Sequence, residues 1–334
     1  MKHIVAALLG LFSAGCCCQT VTTPNVIPGS ALDRGRQYTR LFYDGDADRL
    51  WEQFSPGMRQ LFGTPAGVRE FAAQVRRDLG TERQVLDEQT IAWLGRDLYH
   101  RAASFTGTSG PVWIEWTMSV AGVIEGFEVK PGVPEAPTRF LNYTTRTELR
   151  LPFTGDWFVV WGGRSTFLNY HAAAADQRFA YDFLVVRDGS TFAGDAALNE
   201  SYHCFGQPIV APAAGVVRAA ADGIEDNRPG VMNAREPLGN HVVLDHGNGE
   251  FSFLAHLQRG SVAVQPGREV RAGEVIGRCG NSGNSTEAHL HYHLQNTGVF
   301  GAGEGLPAPF TSYFAYAQPV DRGEPTRGQH IRPR

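Results

Sequence analysis

Apolar and polar residues alternate strictly in one short stretch, 289–294, where His289, His291 and His293 are separated by Leu290, Tyr292 and Leu294. A period of two is that of a β-strand, so the three imidazoles share one face and the three apolar side chains the other. Neighbouring rings at i and i+2 start ~6.5–7 Å apart, which lets two of them converge on one ion or small substrate. The ends of the trio are ~13 Å apart, too far to share an ion bound at ~2.0–2.1 Å. His291 belongs to both possible pairs.

Elsewhere the pattern changes period twice. Asp46 can cap a helix carrying Leu50, Trp51 and Phe54 on one side. Thr64, Pro65 and Gly80 frame a second helix, in which Val68, Phe71, Ala72, Val75 and Leu79 fall on one face. The period then becomes two: Val112, Ile114, Trp116, Met118 and Val120 make the core face of a strand, with neighbouring strands at 97–106 and 123–129. Helices followed by antiparallel strands predict a small α+β domain over 30–130. Pro131, Pro134 and Pro137 mark a linker over 131–148. Short strands and glycine turns predict a mostly antiparallel β domain over 149–318, and the Pro-, Arg- and Gly-rich residues 319–334 a mobile tail.

Composition adds little to this. With 334 residues, 42% hydrophobic and 19% charged, the chain can bury two cores, and a net charge of −4 gives no electrostatic reason to expect a nucleic-acid partner. The first residues change the picture more. Lys2 and the apolar run Ile4 to Gly15 read as an export signal over 1–18, too short for the ~20 residues a spanning helix needs. Residues 19–29 form a polar tether. Ser13-Ala14-Gly15-Cys16 resembles a bacterial lipoprotein cleavage site, although Ser13 stands where such sites usually carry Leu. The expectation is a periplasmic or cell-envelope protein whose only membrane link is a lipid on Cys16. In an exported protein, Cys204 and Cys279 are candidates for a disulfide.

Eight of the eleven histidines lie between 171 and 293, which places any metal chemistry in the second domain. His171 is followed by Asp176 and Asp182, and Asp182 opens the apolar run Phe183 to Val186, where a carboxylate needs a partner. His203, His241 and His246 sit in turns or at strand ends and read as solvated or supporting residues. His100 falls in the first domain, and His3 and His330 in the leader and the tail.

The segments YHAAAADQRFAYDF, FGQPIVAPAAGVV, GNHVVLDHGNGEFSFLAHL, VQPGREVRAGEVIGRCGNSGNS and AHLHYHL together resemble the lysostaphin/LytM-type zinc metallopeptidases of bacterial cell walls. The likeness runs in order over roughly 149–300. It implies a compact antiparallel β fold with a groove over one zinc ion, and cleavage of peptide cross-links in peptidoglycan. It also implies His171, Asp182 and His291 as metal ligands, His256 and His289 as catalytic residues, and His293 as a supporting or groove-lining residue. One departure stands out: ten residues separate His171 from Asp182 where the family has three, and Asp176 is the alternative ligand. The first domain loosely resembles the α+β domains of the nuclear-transport-factor-like superfamily, on architecture alone.

The chemistry is coherent without the likeness. Two histidines and a carboxylate leave a tetrahedral zinc one open position, and zinc lowers the pKa of water there to ~7. The chain has no His-Glu-x-x-His segment, so unligated histidines would move the protons. Two other readings remain: a catalytically silent relative that activates a cell-wall amidase, and a zinc protease acting on proteins. For the bond cut in peptidoglycan, a D-alanyl–diaminopimelate cross-link ranks first and a glycyl bond second.

Overall fold

The computed structural model describes residues 26–334, so the leader 1–18, Cys16, His3 and the tether up to residue 25 lie outside the described residues. The chain divides between Val133 and Pro134 into two compact units. Among the described residues, no helix is long and apolar enough to cross a membrane.

The first unit holds four helices and one sheet. Helix α1 (Ala31–Asp44) starts at a reciprocal cap, in which the Ser30 hydroxyl accepts from the Asp33 amide and the Asp33 carboxylate accepts from the Ser30 amide. Gly45, with φ of 75°, ends it in the left-handed region. Asp46 caps α2 (Ala47–Glu52), Ser55 caps α3 (Pro56–Phe62), and Pro65 opens α4 (Pro65–Leu79). Thr64 occupies the predicted cap position of α4 but makes no side-chain cap bond.

Strands β1 (Glu82–Trp93), β2 (Arg96–Phe105), β3 (Val112–Ser119) and β4 (Ile124–Pro131) follow as an antiparallel sheet in that order. Val112, Ile114, Trp116 and Met118 are buried as the alternation requires, while Val120 lies exposed in the turn beyond β3. Trp116 stacks on Phe127 with centroids 3.7 Å apart, and its indole N–H donates to Thr39. Helices α1 and α3 and strand β1 were not legible from hydrophobic pattern. β1 is an exposed, charged edge strand held to β2 partly by ion pairs from Arg101 to Glu82 and Glu88.

The second unit contains β5 (Trp157–Trp161), β6 (Tyr181–Leu184), β7 (Pro208–Val210), β8 (Gly215–Ala221), β9 (Asn240–Asp245) and β10 (Phe251–Leu257). It continues with β11 (Glu269–Val270), β12 (Val275–Arg278), β13 (Leu290–Gln295), β14 (Gly305–Leu306), β15 (Phe310–Ala315), β16 (Gln318–Gly323) and β17 (His330–Pro333). The main sheet runs β11-β8-β9-β10-β13-β6-β5-β17-β15-β16, with β14 added on β13 and β7 paired with β12 apart from it. All of these strand pairs are antiparallel. The fold class expected from the sequence, a small α+β unit followed by a mostly antiparallel β unit, is the one observed.

Two boundaries need correction. Residues 319–334, expected to be a mobile tail, supply most of β16 and all of β17, and β17 pairs with β5 beside the strand that carries Asp182. Ile331 alternates into the core and is fully buried, a signal hidden by the Pro and Arg around it. Residues 134–148, read as linker, are fastened to the second unit. The buried Glu250 carboxylate accepts from the Tyr143 hydroxyl, the Arg146 and Thr147 amides and the Thr147 hydroxyl.

Candidate metal centre

Strands β6 and β13 lie side by side with Asp182 directly opposite His291. Alternation sends Tyr181, Phe183, Leu290 and Tyr292 into an aromatic layer, where Tyr181 and Phe183 stack and both meet Phe310. The same alternation turns Asp182 and His291 to the opposite face, with His291 Nδ1 2.8 Å from Asp182 Oδ1. His171 arrives from a single 3-10 turn, Tyr170–Ala173, capped by Asn169, and its Nε2 stands 3.6 Å from Asp182 Oδ2. The ligand atoms of His171, Asp182 and His291 lie within 4.8 Å of one another, and all three residues are buried.

Two further imidazoles border this group. His289 precedes β13 and forms an isolated bridge with Gly280, bringing its Nε2 to 3.7 Å from Asp182 Oδ1. Gly280 is required there, because a Cβ at that position would sit 2.2 Å from the Gln258 amide nitrogen. His256 reaches the site by a break in alternation. Its neighbour Ala255 is paired with His291 and so shares that residue's face, which should turn His256 away. A bulge between Leu254 and Leu257, with His256 at φ of 61°, swings the ring back. Its centroid then lies 4.8 Å from that of His289 and 5.7 Å from that of His291.

Outward hydrogen bonds fix the protons. Asn169 donates its amide to the Gly163 and Ala180 carbonyls, so its oxygen faces His171 and accepts from Nδ1–H at 2.9 Å. His256 donates Nδ1–H to the Ser282 carbonyl at 2.8 Å, and His289 donates Nδ1–H to the Glu287 carbonyl at 2.9 Å. A neutral imidazole has one N–H and one lone pair, so all three present the Nε2 lone pair inward. Burial pushes His171 down to about 3 and His256 well below the usual histidine range, so both stay neutral. Burial alone would raise the Asp182 carboxyl, but the pull of any proton carried by the surrounding imidazoles, His171 first, outweighs it and lowers the group's pKa.

The result is a buried set of acceptors aimed at one another. A proton satisfies one such contact, whereas a metal ion among His171, Asp182 and His291 would satisfy three at once. Two histidines and one carboxylate match the three-ligand set of catalytic zinc, with His256 and His289 left over beside it.

All five predicted site residues are thus brought together. Asp176 is only partly buried and stays outside the metal-ligand group. His241 donates to the Gly239 carbonyl, and His246 bonds the Ala214 carbonyl and the Ser252 hydroxyl. His100 pairs with Glu115 in the first unit, and His330, expected in a mobile tail, is on β17 and pairs with Asp156. Sequence reasoning missed Asn169, whose place two residues before His171 is that of a cap. It also missed Gln295, which continues the i, i+2 spacing of the histidine face. Cys204 and Cys279 are joined in a disulfide, closing a sequence separation of 75.

Known proteins give an independent comparison. The DD-carboxypeptidase/endopeptidase Mpg of Neisseria meningitidis is 38% identical over 106 residues, 31% of this chain and 23% of that protein. The peptidoglycan DD-endopeptidase ShyA of Vibrio cholerae is 37% identical over 91 residues, 27% of this chain and 19% of that one. The chain therefore spans less than a quarter of the length of these curated relatives. Among solved structures, the catalytic domain of lysostaphin from Staphylococcus simulans aligns at 20% identity and a TM-score of 0.27, covering 45% of this chain and 86% of that one. The sequence model of Peptidase family M23 matches residues 201–300, which include His256, His289 and His291 but neither His171 nor Asp182. Over residues 201–300, then, the chain is similar to Peptidase family M23.

Proposed function

We propose that the second unit is a zinc metalloendopeptidase that hydrolyses D,D peptide cross-links of bacterial peptidoglycan, in an exported protein of the cell envelope with Cys16 as its candidate lipid anchor. One observation carries this reading: a buried His171–Asp182–His291 donor set bordered by two unligated imidazoles whose free nitrogens face inward. ShyA, named a peptidoglycan DD-endopeptidase, and Mpg, named a DD-carboxypeptidase/endopeptidase, support the choice of substrate.

Zinc, when bound, supplies Lewis acidity toward a substrate carbonyl and makes water a nucleophile near neutral pH. The remaining work falls to the chain. His256 and His289 each hold an unprotonated Nε2 within the site, so either can accept a proton from the attacking water. The cation that forms on His289 lies 3.7 Å from the Asp182 carboxylate, which stabilises it until the proton passes to the leaving amine. Once either ring carries that proton, its imidazolium Nε2–H is the donor the pair can offer to the developing oxyanion before the proton moves on. Asn169, Ser282 and Glu287 keep each ring in the required tautomer.

Purified sacculi test the reading. Zinc-loaded protein should convert cross-linked muropeptide dimers to monomers, and chelation should stop the reaction. A muropeptide profile unchanged by zinc-loaded protein would favour a silent activator of an amidase. Cleavage of protein substrates with no change in sacculi would favour a general zinc protease.

A further inference from the structure

The third histidine of the alternating strand is as buried as the metal-ligand candidates and makes no contact with Asp182. His293 has no exposed surface, and its ring stacks on Phe253 with centroids 4.4 Å apart and planes 11° from parallel. Its Nδ1 is 3.0 Å from His291 Nε2, and its Nε2 is 3.3 Å from Gln295 Oε1. A solvated sheet face has none of these features.

The direction of this chain of bonds is fixed at its far end. Gln295 lies 2.7 Å from the Val299 carbonyl, which can only accept. The Gln295 atom that faces Val299 is therefore its NH2, and the atom that faces His293 is its carbonyl oxygen. That oxygen accepts from His293 Nε2–H, which leaves His293 Nδ1 as a lone pair. The lone pair accepts from His291 Nε2–H, so the His291 lone pair must be on Nδ1, the nitrogen 2.8 Å from Asp182.

We infer that His293 and Gln295 are positioning residues that lock His291 in its Nε2–H tautomer and so commit its Nδ1 to the metal. The inference rests on the metal-site reading above and concerns residues outside the donor set. Val299 sets the Gln295 amide, Gln295 sets His293, and His293 sets His291. The alternating spacing of 291, 293 and 295 lets one strand carry the whole relay on one face. Phe253 holds the middle ring in plane, so the acceptor is oriented before any metal arrives. Partners of this kind behind a ligating histidine are typically worth ~10–100-fold in metal affinity.

Zinc affinity measured by chelator competition tests this, alongside thermal unfolding of each variant. His293→Phe keeps the stacking shape and removes the acceptor, and should weaken zinc binding ~10–100-fold. His293→Glu restores an acceptor for His291 Nε2–H and should bring affinity back to within a few-fold of the parent, which a purely packing role would not do. Gln295→Leu lets the His293 ring turn over and should weaken binding in the same direction. Nitrogen-15 NMR of the zinc-loaded parent should show His291 protonated at Nε2 and metal-bound at Nδ1. Parent protein that binds zinc no better than a folded His293→Phe variant would overturn the inference alone, as would coordination of His291 through Nε2. Should His293→Phe fail to fold, equal affinity of Gln295→Leu and parent would overturn it. Parent protein that takes up no zinc would remove the metal reading and this inference together.

Discussion

Each imidazole around Asp182 has a different outward partner, and that difference sorts their roles. His291→Ala removes a donor from the central group and should abolish both zinc binding and hydrolysis. His289→Ala and His256→Ala leave the donor set whole, so zinc should stay bound while the rate falls by ~10²–10⁴. Metal content and the rate of sacculus digestion, measured on the same samples, separate the two classes. Loss of zinc from His289→Ala would move that residue into the donor set. Asn169→Ala frees the His171 ring to flip and should weaken zinc ~10–100-fold, as read by chelator competition. At this scale the sequence was informative where chemistry is concentrated: spacing marked His291, and the likeness to cell-wall peptidases marked the other four. Asn169 and Gln295 stayed hidden because their parts depend on which carbonyls face them, and no pattern in the chain encodes that.

Among elements, β6 and β13 were readable because one face of each is apolar and the other carries the site. The part of β10 that presents His256 was not. Strict alternation turns that side chain away from the site, and only a bulge with a left-handed residue restores it. In the segment 134–148 prolines signal a linker, whereas partners distant in sequence hold it: the Glu250 and Glu304 carboxylates and the Ala172 and Pro307 carbonyls among them. Glu250→Ala leaves the Arg146 and Thr147 amides without their acceptor and should cost about 3 kcal/mol of stability in the second unit, measured by chemical denaturation. A cost near zero would mean that the segment is held by other contacts. Acid should erase the difference between parent and Glu250→Gln. Burial alone would raise the Glu250 pKa, but hydrogen bonds from Thr147, Arg146 and Tyr143 outweigh it and the net shift is downward from 4.5. A carboxylate depressed in the folded state adds stability that is present above its unfolded pKa. The parent's advantage should therefore be full above about pH 4.5 and fade as the pH falls below it.

Over the whole molecule, two units with separate cores carry unequal burdens. The second holds the disulfide and the His171–Asp182–His291 group, and it keeps β16 and β17 in its main sheet where composition alone suggested a tail. Closing a separation of 75 residues restricts the unfolded chain, so reducing Cys204–Cys279 should destabilise the second unit by about 4 kcal/mol. Hydrogen exchange should then quicken around β7, β12 and 280–289 while α1–α4 and β1–β4 keep their protection. Equal loosening of both units would contradict independent cores.

If His171, Asp182 and His291 form one metal centre, with His256 and His289 outside the donor set, each chain holds a single zinc ion. Zinc content per chain, measured by elemental analysis on protein purified without chelator, tests this most directly. One zinc per chain is expected in the parent, absent from His291→Ala and retained in His289→Ala. A parent protein without zinc that added zinc cannot restore would contradict it, as would two ions per chain.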